Sequence, residues 1–101
     1  MNNKYQVHYL PSAQKDLKEI FDYVYAENQT AAKSLVNRFD EAISKLETFP
    51  DLGIVPRDKR LKSLQYRILI VDNYLVFYVV IENIVEIRRI LHGKRKYDFL
   101  I

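Results

Sequence analysis

His92, Lys94, Arg95, Lys96 and Tyr97 crowd the closing stretch HGKRKYDFLI of a 101-residue chain. An imidazole exchanges protons near neutral pH, a phenol can donate one, and guanidinium and ammonium groups bind phosphate oxygens. Further up the chain, Arg57, Lys59, Arg60 and Lys62 lie in or just after FPDLGIVPRD, Arg67 lies in the next apolar run, and Arg88 and Arg89 lie near the end of the last. Together they suit metal-independent RNA cleavage, in which a base takes the proton of a 2′-hydroxyl and an acid protonates the leaving oxygen. Cations stabilise the charge that develops on the phosphorus oxygens. His92 and Tyr97 are the acid–base candidates, and Arg67 and Arg95 are the charge stabilisers. Arg57, Lys59, Arg60, Lys62, Arg89, Lys94 and Lys96 are candidates for binding RNA or another target. A basic strand end such as this is more often a solvated or partner-binding surface with no chemistry. His92 before Gly93 also fits a turn, Tyr97 fits packing on a sheet, His8 fits a structural place on a strand, and Tyr23 and Tyr25 fit the rim of a core.

Charge supports a polyanionic or acidic partner for the second half. Residues 1–56 carry six Lys/Arg against eight Asp/Glu, whereas residues 57–101 carry ten against five. Clustered cations gain by releasing counterions from phosphates. There is no Cys, no glycine-rich phosphate loop and no HExxH, so the sequence offers no motif for a metal or cofactor. No apolar run approaches the ~20 residues needed to span a bilayer, and MNNKYQVHYL lacks the pattern of a signal peptide. The expectation is a cytoplasmic protein forming one domain over residues 1–101.

These residues need a scaffold, and periodicity supplies one. Tyr5 to Leu10 alternates and stops at Pro11, as a short strand does. Ala13, Leu17, Ile20, Phe21 and Val24 mark one face of a helix that Ser12 can cap; Ala32, Leu35, Val36, Phe39, Ile43 and Leu46 mark a second, with Thr30 as its cap. ENQT separates the two, and FPDLGIVPRD is a loop. LKSLQYRILIV, YLVFYVVI and IVEIRRIL read as three strands joined by the two-residue breaks DN and EN, hence consecutive and antiparallel. The middle one is apolar throughout, as a central strand is. The expected fold is α+β, in the order β-α-α-β-β-β, with a helical hairpin packed on a mainly antiparallel sheet. That topology would let Arg67 and the basic terminus share one edge.

The element order, the proline loop FPDLG, the strand YLVFYVV and the ending in which Ile87, Ile90, His92, Gly93 and Arg95 recur together resemble the RelE/ParE superfamily of bacterial toxins, over essentially the whole chain. The resemblance implies the toxin half of a type II toxin–antitoxin pair, held inactive by an acidic antitoxin that is partly disordered when free. RelE-like members cut mRNA in the ribosomal A site, and ParE-like members poison DNA gyrase. By position, Arg57, Lys59 and Arg67, with His92, Arg95 and Tyr97, would match the ribonuclease branch, which is the preferred expectation. Tyr74 and Leu75 depart from that branch, where many members carry an arginine, and point toward the gyrase branch.

Overall fold

The structure is a computed structural model, and it describes residues 4–93. Strand β1 (Gln6–Tyr9) leads into helix α1 (Pro11–Glu27) and helix α2 (Gln29–Ser44), which a 3-10 turn at Lys45–Glu47 prolongs. After a loop come a short helix α3 (Lys59–Ser63) and strands β2 (Tyr66–Val71), β3 (Tyr74–Ile81) and β4 (Ile84–His92). The sheet order is β1-β4-β3-β2; β1 runs parallel to β4, and the other pairs are antiparallel. The expected α+β order is therefore present, with α3 added.

Local boundaries differ from expectation at three points. Proline's fixed φ and missing N–H suit the first helical position, so α1 starts at Pro11 with Leu10 as its cap residue. Ser12 does not cap; its hydroxyl donates to the Arg88 carbonyl at 2.8 Å. A single residue, Asn28, both ends α1, through its N–H to the Val24 carbonyl, and caps α2, through a side chain that accepts from the Ala31 N–H. Thr30 lies inside α2 and is not its cap. Finally, the stretch beginning LKSLQ, read as strand, is helical through Ser63, and β2 begins only at Tyr66. The left-handed Gln65 (φ 64°) makes the turn between them.

The hairpin breaks are two-residue turns, each opened by a left-handed residue, Asp72 (φ 54°) and Glu82 (φ 55°). Between sheet and helices lies the larger core. Ala13, Leu35, Phe39, Ile43 and Leu46 pack there on Val71, Val76, Tyr78, Val85, Ile87 and Ile90. The sheet's other face carries a smaller cluster of Leu61, Tyr66, Ile68, Phe77, Val79 and Leu91, with Leu75 against it. Residues Val76 to Val79 of β3 are buried, as a central strand requires. Tyr25 is exposed and Tyr23 is 74% exposed, so Tyr23 is a surface residue and not core rim. Among the described residues the His8 side chain bonds to Gln6, through Nε2 at 3.2 Å, on the exposed face of β1.

Burial, helped by Asp40, pushes the Tyr9 phenol up to about 12. A raised folded-state pKa means that the native state keeps a proton which the unfolded chain releases near 10. Stability from this residue is thus full below pH 10 and lost as pH rises from 10 to about 12. We expect urea midpoints to fall across that window, and Tyr9→Phe to flatten part of the fall.

Candidate functional site

The basic residues after the proline loop are built around two anchors. Asp58 caps α3 by accepting from the Arg60 and Leu61 N–H groups, and Leu61 is fully buried on the sheet. With these fixed, Arg57, Lys59, Arg60 and Lys62 stand exposed around the short helix. Asp58 also approaches Arg60, at 3.8 Å.

Arg67 and Tyr78 are cross-strand partners, and together they hold the proline loop. The Tyr78 hydroxyl donates to the Pro50 carbonyl at 2.7 Å and accepts from the Gly53 N–H at 2.8 Å. Arg67 Nη1 donates to the carbonyls of Gly53 (2.9 Å) and Asp51 (3.3 Å), and its Nε lies 3.6 Å from the Asp51 carboxylate. Burial pushes the Tyr78 phenol up, opposed by the Gly53 N–H and Arg67. Its proton is therefore kept for the loop.

Across β3 from Arg67, Asp16 of α1 is buried, 8% exposed, and takes three hydrogen bonds: Arg89 Nε (2.7 Å) and Nη2 (3.0 Å), and the Ile90 N–H (2.9 Å). The bond to Asp16 holds the Arg89 guanidinium above its ordinary value. A bulge makes this possible. Phe77 pairs with Arg89 but Tyr78 pairs with Ile87, leaving Arg88 as the extra residue. Arg88 turns to the opposite face, where it lies 5.4 Å over the Tyr66 ring and bonds to Glu86. His92 meets the edge of Tyr74, centroids 5.4 Å apart, and the Gly93 N–H closes onto the Asn73 carbonyl at 2.7 Å.

Arg67 and His92 do not share the expected edge. β2, β3 and β4 run up, down and up, so His92 pairs with Tyr74, level with the end of β2, whereas Arg67 pairs with Tyr78 near its start. Four residues of β3 and two strand spacings separate them, roughly 16 Å. Along the strands, Arg67 lies level with Tyr78 and Arg89 only one β3 residue away, level with Phe77, whereas His92 lies at the strand end, level with Tyr74; Arg57, Lys59, Arg60 and Lys62 stand in and around α3, just before β2. Lys94, Arg95, Lys96 and Tyr97 lie outside the described residues. Sequence reasoning missed Asp16 and Tyr78. Asp16 was readable as a lone charge on the Ala13–Leu17–Ile20 stripe, at the i+3 position of that face.

A family model described as ParE toxin of type II toxin–antitoxin system, parDE, matches residues 7–97. The chain belongs to this ParE toxin family. Two solved structures share the ParE-family fold. One is a chain of the chromosomal ParDE system from P. aeruginosa, at TM-score 0.75 and 17% identity over 91% of this chain and 99% of that one. The other is a chain of the RelBE2 toxin–antitoxin complex from Mycobacterium tuberculosis, at TM-score 0.61 and 19% identity over 88% of this chain and 98% of that one. No curated protein matches. The superfamily expected from the sequence is thereby established, and the chain is a toxin of a type II toxin–antitoxin module. Among the described residues, no three His, Asp or Glu side chains group to hold a metal ion, and no helix is long and apolar enough to cross a membrane.

Proposed function

We propose that this ParE-family toxin is held by a cognate antitoxin in the cytoplasm and, when released, arrests growth by binding and poisoning DNA gyrase rather than by cutting mRNA. The observation that carries this reading is the engagement of Arg67. Its guanidinium is bound to two loop carbonyls and faces Asp51, and it sits far from His92, so this acid–base candidate and this phosphate-stabilising candidate do not converge. Leu75 adds to it. By the resemblance, many ribonuclease members carry an arginine where this chain has Tyr74 and Leu75, and Leu75 packs here against an apolar cluster, where an unpaired charge is costly. Exposed Arg57, Lys59, Arg60 and Lys62 then serve as a binding surface for an acidic partner. Their charge steers association and makes affinity fall with salt.

Ribosome-dependent mRNA cleavage is the second reading. Its support is the place of His92 at the strand end from which residues 94–97 follow, with Arg95 and Tyr97 as the remaining catalytic candidates. Induced expression, with translation and DNA replication measured separately, decides between the two. We expect replication to stop first, purified gyrase to accumulate on broken DNA, and coexpressed antitoxin to restore growth. Primer extension should find messages intact. Ribosome-dependent cuts that vanish in His92→Ala or Arg95→Ala would overturn the gyrase reading, and normal growth at high soluble expression would overturn both.

A further inference from the structure

A groove between α1 and the end of the sheet is used by nothing above. It encloses about 530 Å³ and is lined by Asp16, Glu19, Ile20, Tyr23, Tyr74, Ile90, Leu91 and His92. Ile20, Ile90 and Leu91 make it partly apolar. Tyr74 stands beside His92 and is braced from the core side by Phe39, ring centroids 5.6 Å apart. Burial, then Asp72 and Tyr23, raises the Tyr74 phenol, so a neutral ring lines the groove.

The charges in the groove are unequal. Asp16 is already bound to Arg89 and to the Ile90 N–H, and that pair is neutral as a unit. Glu19 is exposed and makes no hydrogen bond or ion pair among the described residues. It acts on Arg89 and Lys18 only through space, and Lys18 is itself paired with Asp22 at 2.7 Å. One uncommitted carboxylate therefore faces a groove with aromatic rings and an apolar lining. Tyr23, a large aromatic held mostly in water, is positioned as a lip.

A guanidinium on an aliphatic stem complements each of these parts. The stem lies on apolar surface, the flat cation stacks on phenol rings, and the fork binds a carboxylate. We propose that this groove receives one arginine side chain of a protein partner, with Glu19 taking the guanidinium and Tyr23 covering it. An acidic side chain would meet the Glu19 charge unpaired. The proposal goes beyond the choice between gyrase and ribosome and holds for either.

The test is an NMR titration of the full chain with N-acetyl-arginine methylamide, against the citrulline and leucine counterparts. Arginine should give saturable shifts at Tyr23, Tyr74, Ile20 and Ile90, binding about tenfold more tightly than isosteric citrulline, as a charge-assisted bond requires. Glu19→Gln should bring arginine down to the citrulline level, and Tyr23→Ala should weaken it. Both sites are exposed, so the variants should unfold at the parent's midpoint. Equal binding of arginine and citrulline, binding of leucine alone, or no saturable shift would overturn the proposal. None of those results bears on gyrase trapping or message cleavage, which are read in separate assays.

Discussion

Replacing Asp16 by alanine is expected to lower stability by about 3 kcal/mol, the low end for removing one partner of a buried ion pair. For a domain of this size that is a fall of on the order of 15 °C in the thermal midpoint. The physical reason is that the variant orphans three donors at once: two Arg89 N–H groups and the Ile90 N–H, whose bond to Asp16 is buried. Arg89 keeps some exposure and has Glu19 in range, which places the value at the low end. Asp16→Asn keeps an acceptor for Ile90 but loses the charge and one acceptor for Arg89, so its cost should be about 2 kcal/mol, as for a hydrogen bond to a charged group. Urea unfolding of the three proteins checks the order. An alanine variant within ~0.5 kcal/mol of the parent, the usual range for surface changes, would show that the pair does not tie α1 to β4.

The second large effect concerns the proline loop. A Cβ on Gly53 would lie 2.7 Å from the Tyr78 hydroxyl, 2.8 Å from Tyr78 Cε1 and 3.0 Å from the Ile68 carbonyl. Tyr78 is fully buried, so the ring cannot give way. Gly53→Ala should therefore cost about 2–3 kcal/mol, as overpacking does. Tyr78→Phe removes the hydroxyl and leaves the Gly53 N–H and the Pro50 carbonyl unpaired, at about 1–3 kcal/mol. The two changes should not add. Phenylalanine removes the nearest clash while Cε1 remains, so the double variant should cost less than the sum of the singles. Strict additivity in denaturant unfolding would mean that loop and ring are not coupled as the geometry requires. Because this loop leads into α3, the same variants should also loosen the surface of Arg57, Lys59, Arg60 and Lys62, seen as faster amide exchange there.

Much of this protein was determined by local pattern. The 3.6-residue stripes of α1 and α2, the apolar run of β3 and the two-residue breaks before β3 and β4 are nearest-neighbour signals, and each marked its element. Helix caps were less legible because several residues compete for one end. Pro11 displaced Ser12 through backbone geometry, and Asn28 displaced Thr30 by serving two helices. Even the bulge left a trace, since Arg88 and Arg89 between Ile87 and Ile90 break a period of two. What the sequence could not determine was which charges meet. Arg67 and His92 belong to strands of like direction flanking β3, a direction the two-residue breaks already implied, and the register then sets them four residues of β3 apart. Asp16 reaches Arg89 across 73 residues, and Tyr78 reaches Pro50 across 28. Such pairings follow from register and layer packing, which are set only when the whole sheet closes on the helices. They also give Arg67, a candidate for phosphate chemistry, two loop carbonyls to bind.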